Sequence, residues 1–320
     1  MSTRIRTIAV AVNPAAAGGA SVHVAPVVVD SLRAAGFEVT VAAATSERAL
    51  RERLVALVGD GGVEALVVVG GDGLVNLAVD VLAGSAVALG IVPAGTGNDA
   101  ARELGIPLGS VAAACDHLIA ALEREPRRTD VGVITPESGA DMPPGASEAE
   151  DGTSPPPPRR FLCAVSAGFD ALVNERANSL RFPRGPHRYT VALLLELARL
   201  RPRRYRLTVD GVAHDVESVL LAVANLGSIG GGMRIVPFAS PMDGTLDALV
   251  VAPLGRIRFL RLFPRVFAGR HVGLDVVSFH SGSVIRIECD EPIVAYADGE
   301  RIGPLPVLIS VEKGALGVLT

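Results

Sequence analysis

Two glycine-rich segments carry residue types that could bind phosphate. A Gly-Gly-Asp-Gly segment at 70–73 follows the apolar run 65–69, and a Gly-Thr-Gly-Asn-Asp segment at 95–99 follows the apolar run 86–92. Glycine lets backbone N–H groups approach a phosphate closely, and a helix N-terminus directly after the turn favours negative charge. The acidic Asp72 would repel a phosphate unless a cation lay between them. The two segments therefore predict a site for a nucleotide with Mg²⁺.

The two turns are more specific together than apart. Either one alone is equally consistent with a glycine-rich connection that binds no ligand. At the carboxyl ends of neighbouring parallel strands, however, both would open onto one crevice, where α/β sheets bind their ligands. Neither segment is a Gly-x-Gly-x-x-Gly or a Walker A loop, and Lys313 is the only lysine in the chain, which excludes a P-loop lysine.

The elements that would position these turns alternate between strand and helix. Strands are predicted at 5–12, 37–43, 65–69 and 86–92. Caps for intervening or following helices are predicted at Ser21, Ser46 and Ser110. This order calls for a parallel sheet with helices on both faces.

The composition changes after residue 130. The segment 136–160 is rich in proline and acidic residues, lacks apolar periodicity and is predicted to be a disordered loop. Short β-branched segments separated by Gly and Asp then predict a mostly antiparallel domain. Its strands are predicted at 130–134, 161–165, 205–209, 217–224, 246–251, 284–289 and 293–297, and its helices at 189–200 and 256–267. The predicted domains are thus 1–130 and 131–305.

Composition limits the class of protein. Hydrophobic types make up 49% of the 320 residues, which is enough apolar material for folded cores. The 30 basic and 34 acidic side chains give a net charge of −4, which argues against a dedicated nucleic-acid binder. The three cysteines lack metal-binding spacing, and no apolar run approaches the ~20 residues that span a bilayer. We therefore expect a cytoplasmic protein.

Four motifs in a fixed order carry a resemblance to a known family: those at 70–73 and 95–99, Asp-Gly-Thr-Leu-Asp at 243–247 and Asp-Gly-Glu at 298–300. Together they resemble the catalytic domain of diacylglycerol kinases, in particular the soluble bacterial lipid kinases, with sphingosine and ceramide kinases as relatives. The resemblance implies an α/β fold in two domains. The first would be a parallel-sheet domain like that of NAD kinase and the phosphofructokinases, rejoined by about 306–320. The second would be a β-sandwich.

The resemblance also implies an activity and a role for individual residues. The activity would be ATP-dependent phosphorylation of the primary hydroxyl of diacylglycerol, with phosphatidate as the product. The residues that would bind the nucleotide are Asn13, Thr45, Gly70, Gly71, Asp72, Gly73, Asn76, Gly95, Thr96, Gly97, Asn98 and Asp99. Either Asp298 or Glu300 would take the proton from the lipid hydroxyl, and the sequence leaves this choice open.

The resemblance also implies a metal site, and the sequence differs from the family pattern at two positions discussed here. Asp243, with backbone oxygens of Ser240 and Thr245, would hold a structural Mg²⁺, against the alternative of a simple Asp-Gly turn. The basic residue that usually follows the first strand is missing, which leaves Arg102 or Mg²⁺ to neutralise the phosphates. Leu74 replaces the more common threonine.

The segment 254–270 mixes arginine with phenylalanine and leucine. A helix of this composition can lie on an anionic membrane, although a core-packed helix with solvated arginines fits it equally well. The expected partners are a diacylglycerol-like lipid and the inner face of the membrane, to which the protein would bind transiently. A homodimer is an option, and no nucleic acid is expected. The alternative functions are a sphingoid-base or other lipid kinase, an NAD kinase, and a catalytically inactive nucleotide-binding regulator.

Overall fold

The chain folds into an α/β part followed by a β-rich part. This computed structural model describes residues 5–13, 20–137, 157–180, 182 and 187–320. Most of the proline-rich segment 136–160, predicted to be a loop, lies outside the described residues, as does the Ala/Gly segment that follows Asn13.

The first part is a parallel sheet with helices on both faces. Its strands, in the order β2-β1-β3-β4, are β1 (Thr7–Val12), β2 (Glu38–Ala43), β3 (Ala65–Gly70) and β4 (Ala88–Pro93). Its helices are α1 (Ala20–Ala34), α2 (Glu47–Gly59), α3 (Asp72–Leu82), α4 (Asp99–Glu103) and α5 (Val111–Leu122). Successive side chains of a strand point to opposite faces, so Leu66 and Val68 enter one apolar core while Val67 and Val69 enter another. Burial on both faces is what a doubly covered parallel sheet requires.

Serine caps begin two of these helices where the sequence predicts them. The Oγ of Ser46 accepts a hydrogen bond from the N–H of Ala49 at 3.3 Å, and the Oγ of Ser110 accepts one from the N–H of Ala113 at 3.2 Å. The predicted cap at Ser21 is wrong, because α1 already begins one residue earlier. The Ser21 hydroxyl donates instead to the backbone oxygen of residue 13 at 3.0 Å.

The second part is a sandwich of two sheets. Its strands are β5 (Arg127–Pro136), β6 (Arg159–Phe161), β7 (Ala164–Ser166), β8 (Arg203–Val209), β9 (Val212–Ser218), β10 (Leu220–Ala224), β11 (Ser228–Ile229), β12 (Met233–Arg234), β13 (Leu246–Val251), β14 (Val277–Gly282), β15 (Val284–Cys289), β16 (Val294–Ala297), β17 (Glu300–Pro304) and β18 (Val307–Val318). One sheet is antiparallel in the order β14-β13-β10-β7-β16-β17. Its helices are α6 (Phe169–Ser179), α7 (His187–Ala198), α8 (Arg256–Leu262) and a 3-10 helix (Phe263–Ala268).

The strand β18 joins the two parts. It pairs with β5 over residues 307–312 and 316–318, with a shift of register between the two stretches, and Val318 pairs with Leu89 of β4. The parallel strands therefore continue through β18 into β15, β8 and β9 as one ten-stranded sheet. Val307 and Ile309 of β18 pack in the sandwich core with Val223 of the other sheet. These features confirm the predicted fold class, an α/β domain with a mostly antiparallel β domain.

Two predicted elements differ from the structure, and one helix was not predicted. The predicted strand 217–224 divides at Val219 into β9 and β10, where the Ser218 hydroxyl donates to the backbone oxygens of Leu220 and Val251. The predicted helix 256–267 changes to a 3-10 helix after Leu262, since Pro264 has no N–H for the α-helical ladder. The helix α6 was not predicted.

Candidate functional site

The two glycine turns lie against each other at the carboxyl edge of the parallel sheet. Strands β3 and β4 are paired as far as Gly70 and Pro93, so the chain leaves both strands at the same level. A Cβ added to Gly95 would lie 2.4 Å from the Cα of Gly71. Because backbone cannot move aside as a flexible side chain can, the contact requires glycine. The structure thus brings the two predicted phosphate turns together.

Asn98 closes the second turn rather than pointing away from it. Its Oδ1 accepts from the N–H of Gly95 at 3.0 Å, and its Nδ2 donates to the Gly95 oxygen at 2.8 Å. The residue has a φ of 53°, in the left-handed region that asparagine tolerates better than most residues. Both polar atoms of the side chain therefore support the turn.

Two carboxylates line the crevice beside these turns. Asp72 accepts from the N–H of Ala100 at 3.3 Å, and Asp99 is only 5% exposed. Burial, and then the negative charge of Asp99, raise the pKa of Asp72. A cation beside Asp72 would relieve this repulsion.

Asp99 also ties the 95–99 turn to the glycine loop at 230–232. It accepts from the N–H groups of Gly231 at 2.7 Å and Gly232 at 2.6 Å, whose φ values are 82° and 105°. Its ion pair with Arg102 measures 2.7 Å, and Arg102 also donates to the Gly97 oxygen at 3.0 Å. Arg102 therefore brings a positive charge to the second glycine turn, which is not the turn after the first strand where the family's usual basic residue is missing. The link to the 231–232 loop could not be seen in the sequence.

Four predicted nucleotide residues lie outside the two glycine turns or at the helix that follows the first of them. Asn13 follows β1 and Thr45 follows β2 at the same edge of the sheet, and Thr45 is exposed. Asn76 is buried in α3, and its Oδ1 has no hydrogen-bond partner among the described residues. Gly73 is the second residue of α3, and a Cβ added to it would meet open space. These four residues do not line the cavity described below.

Asp298 is held at the turn between β16 and β17. Its carboxylate accepts from the N–H groups of Leu162 at 2.7 Å, Cys163 at 2.9 Å and Ala164 at 2.9 Å. Burial raises its pKa to about 6, and the three N–H groups oppose that rise. Glu300, by contrast, begins β17 as an exposed side chain. The two carboxylates left as alternatives by the sequence therefore have different surroundings.

A cavity of about 690 Å³ connects these groups. At one end its wall contains Asp72, Thr96, Gly97, Asp99 and Asp298. The remainder is a mostly apolar chamber under α6, α7 and α8, and its lining includes Phe169, Val173, Leu193, Phe259, Phe263 and Val276. Polar residues, among them Ser166, Asp170, Asn174 and His271, also line it. Glu300 is not in the wall. The arrangement places charged and glycine-rich groups at the mouth of a space suited to hydrocarbon.

The predicted metal loop lies away from this cavity. The Oδ1 of Asp243 accepts from the N–H of Thr245 at 2.9 Å and from its hydroxyl at 2.7 Å. A Cβ added to Gly244 would lie 2.6 Å from the Nζ of Lys313, so a positive charge already stands beside the turn. The described residues contain no group of three or more His, Cys, Asp or Glu arranged to hold a metal. The role of Asp243, Ser240 and Thr245 stays a prediction, and Lys313 weighs against it.

Asp130, next to this loop, was missed by sequence reasoning. Its Oδ1 accepts from the N–H of Gly314 at 2.6 Å and its Oδ2 from the N–H of Gly244 at 2.7 Å, while Asn225 donates to its backbone oxygen at 3.0 Å. It thereby ties β5 to β18 and to the 241–245 loop. Its partners are separated from it by about a hundred residues or more, so nothing local in the sequence identifies them.

Comparison with known proteins assigns the chain to a family. Residues 7–134 match the diacylglycerol kinase catalytic domain, and residues 163–320 match the YegS C-terminal NAD kinase beta sandwich-like domain. A diacylglycerol kinase of Mycobacterium tuberculosis (strain CDC 1551 / Oshkosh) is 39% identical over 308 residues, which cover 96% of this chain and 93% of that protein. The chain belongs to the diacylglycerol kinase family. The resemblance drawn from its four motifs is thus confirmed.

More distant relatives of this lipid-kinase family member agree. A diacylglycerol kinase of Bacillus subtilis (strain 168) is 25% identical over 265 residues, covering 82% of this kinase and 76% of that protein. The crystal structure of a diacylglycerol kinase from Bacillus anthracis str. Sterne shares the fold with a TM-score of 0.72 at 21% identity, covering 99% of this kinase and 98% of that chain. Among the described residues, no helix of this kinase has both the length and the apolar character needed to cross a membrane.

Proposed function

We propose that this kinase transfers the γ-phosphoryl group of ATP to the primary hydroxyl of diacylglycerol, giving phosphatidate. One observation carries the proposal: the cavity joins the two glycine turns, the Asp298 carboxylate and an apolar chamber. Lipid phosphorylation needs these three features at one place, because a polar phosphate donor must meet a hydroxyl attached to hydrocarbon chains.

Asp298 is the proposed general base. Three N–H groups fix its carboxylate at the mouth of the chamber, and with a pKa of about 6 it is mostly ionised at pH 7. A base is most effective when its pKa lies close to the working pH. Phosphoryl transfer otherwise requires little covalent help from the protein, so positioning and charge compensation account for most of the catalysis. Glu300 has no part in this proposal, since it lies outside the cavity wall.

Asp72 and Asp99 are the proposed ligands for the metal that accompanies the nucleotide. Burial, and then the negative charge of Asp99, raise the pKa of Asp72, so a cation at Asp72 would be favoured. Asp99 already accepts from Arg102 and two glycine N–H groups, and it would exchange one of these donors for the metal. Bound there, Mg²⁺ would compensate the charge of the phosphates and orient the γ-phosphoryl group. The amides of the glycine turns would hold the phosphate oxygens, and Thr96 would donate from its hydroxyl.

We further propose that α8 rests on an anionic membrane while lipid enters the chamber. On its inner side, Phe259 lies 5.0 Å from Phe169 between ring centroids and lines the chamber. On its outer side, Ile257 and Leu260 are 68% and 51% exposed. Arginines 256, 258, 261, 265 and 270 are exposed on or close to the same helix. An apolar outer face with basic neighbours is suited to the boundary between headgroups and acyl chains.

Vesicle sedimentation tests the membrane proposal. We expect the wild-type protein to sediment with phosphatidylcholine vesicles that contain phosphatidylglycerol, and less with pure phosphatidylcholine. The double variant Ile257→Ser/Leu260→Ser should lose most of this binding, because it removes the exposed apolar contacts. Val55→Ser on α2 is the matched control, since Val55 is 54% exposed on another face. Equal sedimentation with both vesicle types, or unchanged binding by the double variant, would remove the proposal.

A kinase assay tests the reaction itself. Radiolabelled ATP and Mg²⁺ are offered with dioleoylglycerol, sphingosine or NAD, and the labelled product is separated. We expect labelled phosphatidate from dioleoylglycerol and none when the metal is chelated. Labelled sphingosine alone would favour the sphingoid-base alternative, and labelled NAD would favour an NAD kinase. No transfer to any acceptor would favour the inactive regulator that Leu74 and the missing basic residue suggest.

A further inference from the structure

The hairpin formed by β11 and β12 lies between the two halves of the proposed site. Each of its strands has only two residues, Ser228–Ile229 and Met233–Arg234. The turn between them consists of three glycines, at 230–232, with φ values of 60°, 82° and 105°. A two-stranded hairpin is at best marginally stable on its own in water. The position of this one must therefore be set by contacts with the rest of the protein.

One face of the short helix α4 supplies such contacts from the nucleotide side. Asp99, Arg102 and Glu103 are three and four residues apart, so they share a face of this helix. Two N–H groups of the glycine turn donate to Asp99. A Cβ added to Gly232 would lie 3.5 Å from the guanidinium carbon of Arg102. The face of α4 therefore lies against the turn of the hairpin.

Glu103 holds the first strand of the hairpin. Its Oε1 accepts from the hydroxyl of Ser228, and a Cβ added to Gly227 would lie 3.2 Å from its Oε2. Ser228 is fully buried, so its hydroxyl needs this acceptor. Successive side chains of a strand point to opposite sides. Ile229, the next residue, accordingly lines the cavity, as does Met233 opposite it.

The same helix is attached to the second glycine turn. It begins at Asp99, directly after that turn, and Arg102 donates to the Gly97 oxygen at 3.0 Å. Gly97 and Asp99 belong to the polar end of the cavity wall, whereas Glu103 is not in the wall. If a metal replaced one donor at Asp99, the hydrogen bond from Ser228 to Glu103 would thus remain. It is the contact that keeps the hairpin attached to α4 in either case.

We propose that Glu103 is a positioning residue that couples the two substrates: by holding Ser228 it fixes the hairpin to the nucleotide turn, so that Mg²⁺–ATP and the lipid each bind more tightly when the other is present. The inference rests on the proposed lipid-kinase function. Order that one substrate imposes on α4 or on the hairpin need not be imposed again by the other, and such a coupling is reciprocal.

Binding of a non-hydrolysable ATP analogue tests the coupling without turnover. AMP-PNP with Mg²⁺ is titrated into the wild-type protein in dodecyl maltoside micelles, with and without dioleoylglycerol. We expect the dissociation constant to be at least about fivefold lower with the lipid, the lower end of the usual range for coupled sites. Equal dissociation constants would overturn the proposal, and this measurement needs no variant.

Variants at the hydrogen bond assign the coupling to it. Glu103→Ala and Ser228→Ala each remove the bond, so the ratio of the two dissociation constants should fall to about one. The constant without lipid should stay close to that of the wild type. Glu103→Gln keeps an acceptor for Ser228 and should keep most of the ratio. Glu125→Ala, at an exposed position after α5, is the control.

A merely structural role of Glu103 makes a different prediction. It would weaken AMP-PNP binding with and without lipid and leave the ratio intact, and an intact ratio in both alanine variants would overturn the proposal. In steady-state kinetics, Ser228→Ala should raise the KM for dioleoylglycerol and change kcat little, because the bond lies outside the cavity wall. Should Glu103→Ala fail to fold, Ser228→Ala, which removes a single oxygen atom, still decides.

The outcomes separate this inference from the proposed function. Formation of phosphatidate together with equal dissociation constants would overturn the coupling and leave the lipid kinase intact. If the wild-type protein phosphorylates no lipid, the proposed function fails and the inference falls with it.

Discussion

Replacing Asp298 by asparagine separates catalysis from stability. Asparagine cannot accept a proton from the lipid hydroxyl, so we expect kcat to fall about 10²- to 10⁴-fold, the range for loss of a general base. The fold should survive. The Oδ1 of the asparagine can still accept from the N–H groups of Cys163 and Ala164, but its NH2 group would then face the N–H of Leu162. That N–H would lose its acceptor, at a cost of about 1–3 kcal/mol. Against this, the rise of the pKa from 3.8 to about 6 corresponds to roughly 3 kcal/mol of unfavourable burial at pH 7, which the neutral side chain removes.

The pH dependence provides a second measurement of the same group. The base must be ionised, so kcat/KM of the wild-type enzyme should fall about tenfold per pH unit below about pH 6. Stability has the opposite sign. The folded state holds this proton more tightly than the unfolded chain, so the carboxyl favours folding increasingly as the pH drops from about 6 to 4. Asp298→Asn should remove both dependences.

Glu300→Gln is the matched control for this prediction. Glu300 is exposed at the start of β17, so its variant should keep near-normal kcat and an unchanged pH profile. Steady-state kinetics with dioleoylglycerol, together with denaturant unfolding, measure all three proteins. A large loss of activity in Glu300→Gln with near-normal turnover in Asp298→Asn would refute the reasoning, because it would move the base to the exposed carboxylate.

Two further predictions concern the nucleotide turns and the junction between the two parts. Gly95→Ala should abolish ATP binding in isothermal titration calorimetry, because its Cβ would lie 2.4 Å from the Cα of Gly71. Gly59→Ala is the control and should bind ATP normally, because a Cβ there meets open space. Equal affinities of the two variants would contradict the close approach of the turns. Asp130→Asn should lower the free energy of unfolding by about 1–3 kcal/mol, because the NH2 group of the asparagine would face the N–H of either Gly244 or Gly314. Asp60→Asn is the control and should change this free energy little. Equal stabilities of the two variants would contradict the role of Asp130 at the junction.

Local signals in the sequence predicted much of the nucleotide side of the site. The apolar run before Gly70 and the glycines after it specify a buried strand and a tight turn within a few residues. Ser46 and Ser110 likewise cap the helices that follow them through contacts three residues away. Such features depend on neighbours in the chain, and an alternating or periodic pattern is enough to show them.

The lipid side of the site was harder to predict because its contacts are distant in sequence. Asp298 is positioned by N–H groups about 135 residues earlier, which no local pattern reveals. The helix α6 was missed for a similar reason: its buried face, with Phe169 and Val173, packs against residues of α7 and α8 that come later in the chain. The proposed choice of Asp298 over Glu300 needed the cavity, because the two residues lie two positions apart at one turn and only Asp298 is in the cavity wall.

The continuous strand β18 bears on how substrates reach the site. The two lobes share hydrogen bonds along this strand and share an apolar core, in which Val318 lies with Leu162 and Leu89. Two parts that share backbone hydrogen bonds and an apolar core resist rotation about a hinge between them, the movement by which many two-domain enzymes open and close. Entry of substrates and release of products would then depend on small local movements. The main one would be that of the glycine loop whose Gly231 N–H donates to Asp99. Loss of this hydrogen bond would change the proposed nucleotide turn and the wall of the lipid chamber at the same time.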